Sequence, residues 1–153
     1  MRNLELVVPP DVVALVIVGV MWGVSRLGAA IPLAPVLRNL LGAVLVLVGL
    51  AVIIAARKAF AQRDTPWGPQ TPSRASALVT DGVYGLSRNP MYLGTWVFLL
   101  GIGVMMGSYF SAASSLLYSV YIDRFQIVPE ERALALKFGQ EFDSYRTAVR
   151  RWF

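Results

Sequence analysis

The chain has 153 residues, of which 56% are hydrophobic and 15% are charged, and it carries a formal net charge of +5. A soluble domain carries about 25% charged residues, so this composition favours a single domain embedded in a membrane. The sequence contains no cysteine and no histidine, which excludes disulfides, thiolate nucleophiles, Cys/His zinc sites and Ser-His-Asp catalysis. Because the charged residues lie in blocks beside apolar runs, we expect membrane lipids as partners and no nucleic acid.

Four apolar runs predict an all-α, polytopic membrane bundle of four transmembrane helices. The runs cover about residues 12–24, 36–56, 91–106 and 109–128. A crossing needs about 20 residues, so the second run spans a bilayer easily and the others require local thinning or snorkelling side chains. The first run has no basic segment before it and no A-x-A cleavage site after it, so we do not expect a cleaved signal peptide. Residues 1–153 are therefore predicted to form one integral-membrane domain.

Glycine residues predict how these helices pack. Gly107-Ser108 is the only break between the third and fourth runs, and so short a connection forces an antiparallel helical hairpin. Small residues at regular helical intervals let membrane helices approach closely. Four glycine pairs have such spacings: Gly19 and Gly23, Gly42 and Gly49, Gly94 and Gly101, and Gly103 and Gly107.

The basic residues predict the orientation of the bundle. Of the 14 lysine and arginine residues, five lie between Arg57 and Arg88 and six lie from Arg124 onward. The positive-inside rule then places the 57–88 loop and the C-terminal tail in the cytoplasm. With four spans the N-terminus is also cytoplasmic, and an inner or plasma membrane is the expected location.

The 57–88 loop is the one long polar connection. Its Pro- and Gly-rich part, Thr65–Pro72, cannot form a regular helix, and Trp67 favours a loop docked at the membrane interface. The short apolar patch Ser76–Val79 is predicted to be an extended segment that lies against the helices, followed by a turn at residues 80–82.

The tail after the fourth run is predicted to form an amphipathic cytoplasmic helix. Pro129 suits the first position of a helix, and Glu130 and Glu131 fall in its first turn, where carboxylates are favoured. Gly139 is a candidate interruption. The apolar positions recur at intervals of three or four residues, and basic residues follow near the end, where they suit the helix dipole and lipid phosphates. The apolar residues are Leu134, Phe138, Phe142, Tyr145 and Val149, and the basic residues are Arg146, Arg150 and Arg151.

Three polar clusters each have two interpretations. Arg88-Asn89-Pro90 can be a plain helix start, with Asn89 as N-cap, Pro90 in the first turn and Arg88 on lipid phosphates. Asp123 and Arg124, which interrupt the fourth run, are either paired or functional. Glu130 and Glu131 are either solvated charges at a helix start or members of a site.

Two motifs in order around the hairpin resemble those of the integral-membrane methyltransferases. The first is Tyr84-x4-Asn89-Pro-Met-Tyr-Leu-Gly94, and the second is Glu130-Glu131-x2-Leu134-x3-Phe138-Gly139-x2-Phe142-x2-Tyr145. That family includes the isoprenylcysteine carboxyl methyltransferases and the phospholipid N-methyltransferases. The resemblance covers about residues 76–149.

The resemblance implies that S-adenosylmethionine binds at the cytoplasmic membrane face and donates a methyl group to a lipid or small hydrophobic acceptor. The form N-P-M-Y looks more like the phospholipid methyltransferases. Gln126 stands where the carboxyl methyltransferases have a substrate-handling arginine, which argues against a prenylcysteine carboxylate as acceptor. The final R-R-W-F also departs from the usual family ending. The implied cofactor contacts are Ser76, Ala77, Leu78, Val79, Tyr84, Asn89, Pro90, Met91, Tyr92 and Glu130.

A general base is not identified from the sequence. The candidate catalytic residues are Glu131, Asp123 and Arg124, and an acceptor that is already a carboxylate or thiolate needs no base. The alternative class is a small non-enzymatic membrane protein, such as a transporter or an assembly subunit. A proton-coupled transporter would want a carboxylate inside the first span, and the run 12–24 contains none.

Overall fold

The computed structural model describes residues 5–28, 30–63 and 75–153, and every regular element in these ranges is helical. The predicted all-α class is therefore confirmed for this part of the chain. The predictions for Thr65–Pro72 and Trp67 lie outside the described residues. The helices are α1 (Pro10–Val24), α2 (Pro35–Gln62), α3 (Pro90–Met105), α4 (Tyr109–Ile122), α5 (Val128–Phe138) and α6 (Gln140–Ala148), with a 3-10 turn at Gly82–Gly85 and a π turn at Asp123–Ile127.

One described helix is long and apolar enough to cross a membrane. This is α2, with 28 residues and a mean hydropathy of 2.7 in its most apolar window. Helices α1 and α3 are apolar but shorter, with 15 and 16 residues. The other three predicted spans thus remain predictions. Large apolar side chains cover the outer surface of α2, including Val36, Leu47 and Ile54, which suits contact with lipid.

The close contact between α2 and α3 depends on glycine. A Cβ atom on Gly49 would lie 2.6 Å from the carbonyl oxygen of Gly94, and one on Gly101 would lie 2.7 Å from that of Gly42. The backbones of α2 and α3 are therefore so close that no residue larger than glycine fits at these positions. The predicted packing role is confirmed for these four glycines.

The other two glycine pairs behave differently. Gly103 packs against Ala112 of α4, where an added Cβ would lie 2.7 Å from the Ala112 Cα. Gly107 has φ +77° and forms the tight turn of the predicted α3–α4 hairpin. The packing prediction is wrong for Gly19 and Gly23 in the described part of the chain, where no atom lies within 4 Å of a Cβ at either position.

Helix α1 completes the core by packing on α3 and α4. Its buried residues Ile17 and Met21 contact a cluster that includes Leu99 of α3 and Tyr118 of α4. The Ser111 hydroxyl of α4 donates a hydrogen bond to the Met21 carbonyl oxygen over 2.8 Å. This bond satisfies a buried hydroxyl in an apolar core.

The sequence predicts that the tail helix begins at Pro129, whereas in the structure α5 continues directly from α4. The helical backbone runs from Tyr109 to Phe138 without a break, and the π turn joins the two helices. Pro129 has no N–H, and its ring crowds the carbonyl four residues earlier, which is that of Phe125. The wider π turn accommodates the proline at this place. The Phe125 carbonyl accepts its hydrogen bond from the Leu6 N–H instead, over 2.9 Å.

The predicted interruption at Gly139 is confirmed. This glycine has φ +52°, a conformation that favours glycine, and it separates α5 from α6. The tail is therefore two helices rather than one. Helix α6 folds back so that the Tyr145 hydroxyl donates to the Tyr84 carbonyl oxygen over 2.8 Å. The segment after α6 then lies beside the start of α3, where the Arg88 N–H donates to the Arg150 carbonyl oxygen over 2.9 Å.

The glycine contact predicts a large effect from one methyl group. Gly49→Ala should destabilise the protein by about 1–3 kcal/mol, because the new Cβ meets backbone atoms that cannot rotate away. Gly19→Ala, in open space on α1, should be neutral or slightly stabilising. Thermal unfolding of both variants in detergent, followed by tryptophan fluorescence, measures the difference. Equal unfolding temperatures would contradict the proposed packing.

Candidate functional site

A cavity lies where the start of α3 meets the start of α5. Its interior measures about 70 Å³, or about 400 Å³ with the space that is open to solvent at its mouth. Three helical elements (the 3-10 turn, α5 and α6), the extended segment before the 3-10 turn and the two residues that precede α3 contribute to its wall. The described lining residues are Leu78, Val79, Tyr84, Arg88, Asn89, Glu130, Glu131, Leu134, Phe142 and Tyr145.

One side of the cavity is apolar and aromatic. Leu78 packs against Phe142 and Tyr145 of the folded-back α6. The Tyr84 ring meets Phe60 of α2 edge-on, with 5.4 Å between the ring centroids. Burial raises the pKa of both the Tyr84 and the Tyr145 phenols well above the ordinary value, so both stay neutral at physiological pH.

The other side contains a carboxylate bound to a tyrosine. The Tyr92 hydroxyl donates a hydrogen bond to Glu130 Oε1 over 2.5 Å. Burial raises the pKa of Glu130 to about 8, although the bond from Tyr92 opposes this effect. Glu130 keeps an intermediate exposure because part of it faces the open cavity. Among the described residues, no arginine or lysine forms an ion pair with Glu130.

The next residue, Glu131, is in the opposite situation. Its Oε1 accepts from Arg88 Nη2 at 2.7 Å, and its Oε2 accepts from Arg151 Nη2 at 2.6 Å. Arg151 Nη1 also donates to Asp123 Oδ1 at 3.1 Å. Burial by itself would raise the Glu131 pKa, but the hydrogen bonds from Arg151 and Arg88 outweigh it and hold the pKa below its usual value. The two arginines and the two carboxylates of this network balance each other in charge.

The start of α3 is more than a plain helix start. Asn89 occupies the N-cap position of α3 but makes no side-chain cap. Its Nδ2 instead donates to the Arg151 carbonyl oxygen over 3.0 Å. The Arg88 side chain is 9% exposed and also donates to the Val149 carbonyl oxygen. The interpretation that Arg88 and Arg151 bind lipid phosphates is wrong in this structure, because both guanidinium groups are engaged within the protein.

The structure brings together six of the ten predicted cofactor contacts. Five of them line the cavity, and Tyr92 joins them through its bond to Glu130. Met91 packs instead against the cluster around Tyr84, and Pro90 is buried as the first residue of α3. Ser76 is exposed and Ala77 is half-buried, and neither lines the cavity. The five lining residues are Leu78, Val79, Tyr84, Asn89 and Glu130.

The three candidate catalytic residues lie in different surroundings. Glu131 lines the cavity, but both of its oxygens are bound by arginines. Asp123 lies on the π turn and pairs with Arg151. Arg124 is exposed and is not among the residues that line the cavity.

Sequence reasoning missed two members of the site. Arg88 was interpreted only as part of a helix start, and Arg151 only as a surface cation near a helix end. One signal was present: two adjacent carboxylates at a helix start need cationic partners if the chain buries them. The partners lie 43 and 20 residues from Glu131 in the sequence, so spacing does not identify them.

Comparisons with known proteins show the family of this chain. The profile described as "Phospholipid methyltransferase" matches residues 37–141, from the start of α2 into α6. The protein-S-isoprenylcysteine O-methyltransferase of Schizosaccharomyces pombe is 36% identical over 75 residues, which are 47% of this chain and 30% of that protein. The chain thus matches less than a third of the length of this relative.

A second relative is an uncharacterized protein of Haemophilus influenzae. It is 36% identical over 62 residues, which cover 40% of this chain and 98% of that protein. No solved structure is significantly similar to this chain.

The Glu131 network predicts a strong effect from neutralising one carboxylate. Glu131→Gln leaves the half-buried Arg88 and Arg151 without their shared partner and should destabilise the protein by about 3 kcal/mol. Asp143→Asn removes an exposed pair with Arg146 and should change stability by less than about 0.5 kcal/mol. Thermal unfolding of both variants tests this, and equal effects would mean that the network contributes little.

Glu130 predicts how stability depends on pH. Its pKa of about 8 in the folded chain lies above the ordinary 4.5, so the folded chain binds this proton more tightly than the unfolded chain does. Stability should therefore decrease as the pH rises from about 4.5 to about 8 and then level off. Glu130→Gln should flatten this decrease and raise stability above pH 8 by on the order of a few kcal/mol. Unfolding curves across pH measure the slope, and Glu141→Gln, at an exposed site, should retain it.

Proposed function

Because the chain belongs to the phospholipid methyltransferase family, we propose that it transfers a methyl group from S-adenosylmethionine to a lipid or small hydrophobic acceptor. The proposal places the reaction at the cytoplasmic face of an inner or plasma membrane. The observation that carries it is Glu130, a carboxylate in a cavity that no described cation neutralises, beside a network of balanced charges.

The charge of the cavity suits this cofactor. S-adenosylmethionine carries a sulfonium and an ammonium group, and a buried carboxylate without a partner favours a cationic ligand. Glu130 would hold the ammonium group, with Tyr92 fixing the orientation of its carboxylate. The neutral Tyr84 ring would lie against the sulfonium, because the face of an aromatic ring attracts cations.

The apolar wall suits the rest of the cofactor. Leu78, Val79 and Phe142 offer a surface for a nucleoside base, and Asn89 offers an amide for its polar edge. Pockets for ligands of this size measure about 300–1,000 Å³. The interior of about 70 Å³ is smaller, so binding requires the open mouth of the cavity to take up part of the ligand.

The work of the protein in this reaction is positioning. The cofactor supplies a methyl group that is already activated for transfer. The chain would bind the cofactor, orient it through Glu130 and Tyr92, and exclude water with the apolar wall. An apolar acceptor would arrive from the bilayer, which the exposed apolar faces of α2 and α4 are suited to contact.

The proposal assigns no general base. Glu131 and Asp123 remain the candidates among the carboxylates. The hydrogen bonds from Arg151 and Arg88 hold the pKa of Glu131 below its usual value and make it a weak proton acceptor, and Asp123 is paired with Arg151. Arg124 could contribute only to an exposed surface beside the site. A carboxylate or thiolate acceptor would need no base.

Cofactor binding tests the proposal directly. Wild-type protein in detergent or nanodiscs should bind S-adenosylmethionine in a calorimetric titration, and Glu130→Gln should weaken binding by about 10–100-fold, as expected for one lost charge-assisted hydrogen bond. Glu141→Gln, which removes an exposed carboxylate from α6, is the matched control and should bind like wild type. Undiminished binding by Glu130→Gln would undo the site assignment.

Methyl transfer is then measured with a membrane lipid extract and radiolabelled S-adenosylmethionine. Label should enter the lipid fraction with wild type and much less with Glu130→Gln. Failure of wild type to bind the cofactor would contradict the proposed activity itself.

A further inference from the structure

The segment after α6 contacts the start of α3 through its backbone. The Arg151 carbonyl oxygen accepts hydrogen bonds from Asn89 Nδ2 at 3.0 Å and from Ser87 Oγ at 3.2 Å. Ser87 and Asn89 are both buried, so these bonds fix the backbone where it enters α3. Asn89 lines the cavity, and its side-chain amide is oriented by this segment.

The Arg151 side chain reaches the opposite wall of the same cavity. Its guanidinium donates to both oxygens of Glu131, at 2.6 Å and 3.2 Å, and to Asp123 on the π turn. One residue thus joins the start of α3, the π turn and α5. Arg151 does not itself line the cavity.

We infer that Arg151 is a positioning residue of the methyl-transfer site, which holds Asn89 and Glu131 in place and leaves Glu130 as the one uncompensated carboxylate in the cavity. This inference rests on the proposed function. Arg151 acts through its neighbours, because it satisfies Glu131 and so prevents Glu131 and Glu130 from competing for the same cation.

The surroundings of the two carboxylates determine the effect of removing Arg151. Without it, Glu131 keeps only Arg88, and the pair of adjacent carboxylates should retain a proton up to a higher pH. The proposed cofactor binding requires ionised Glu130. The pH at which binding is half-maximal should therefore move upward. The described groups that face this pair are Arg88 before α3, Tyr92 on α3, Tyr84 on the 3-10 turn, Tyr118 on α4, Asp123 on the π turn, Tyr145 on α6 and Arg151 itself.

Titration of S-adenosylmethionine against pH tests this role. Arg151→Gln should weaken binding at neutral pH by about tenfold and shift the pH midpoint upward by about one unit. Arg151→Lys keeps the charge without the forked geometry and should restore part of the shift. Arg150→Gln is the matched control, because the Arg150 side chain is exposed and, within the part of the chain that the structure describes, only its backbone forms hydrogen bonds. It should bind like wild type.

A purely structural role gives a different result. Folded Arg151→Gln with a lowered unfolding temperature but an unchanged pH midpoint would overturn the inference, and so would an equal shift in Arg150→Gln.

A second measurement separates this inference from the proposed function. Infrared titration of the carboxyl groups in ligand-free protein should show the same upward shift in Arg151→Gln. If wild type fails to bind the cofactor, the proposed function fails, and an unshifted carboxyl titration would then overturn the positioning role as well.

Discussion

The shared engagement of Glu131 by two arginines joins the start of α3, the start of α5 and the segment after α6. Arg88 comes from the start of α3, Arg151 from the segment after α6, and Glu131 from α5. These parts of the chain have no common secondary structure. The ion pairs fix their relative positions together with the hydrogen bonds that join residues 87–89 to the backbone of residues 149–151. The pairs are half-buried, where breaking one leaves a charge that water screens poorly.

Glu130 and Glu131 are adjacent in the sequence but have different surroundings and therefore different protonation behaviour. Glu131 faces two guanidinium groups and its pKa is lowered, whereas Glu130 faces a tyrosine and an open cavity and its pKa is raised to about 8. Consecutive helical residues point about 100° apart, which is enough to place one side chain in the network and the other in the cavity. A cationic ligand in the cavity would stabilise the ionised form of Glu130.

Much of this arrangement follows from local sequence patterns. Hydrophobic runs and the Gly107 turn predicted the α3–α4 hairpin, and the regular glycine spacings predicted positions of close packing on α2 and α3, because backbone geometry depends on near neighbours. That these two helices pack against each other is shown by the structure. The resemblance implied that Tyr92 and Glu130 both contact one cofactor, and the structure joins them by a hydrogen bond. The continuous helix through Pro129 was not predicted, since it depends on the Leu6 N–H, which lies far away in the sequence. The role of Arg151 was not predicted for the same reason, because ion pairs between distant residues produce no periodic pattern in the sequence.

The π turn also sets the register of the site. Its extra residue rotates everything that follows by about 100° relative to a plain α-helix. Deleting one residue between Asp123 and Ile127 would swing Glu130 away from the cavity, although the helix would hardly change in length. The residue count of this five-residue stretch therefore decides which side chain of α5 faces the cavity.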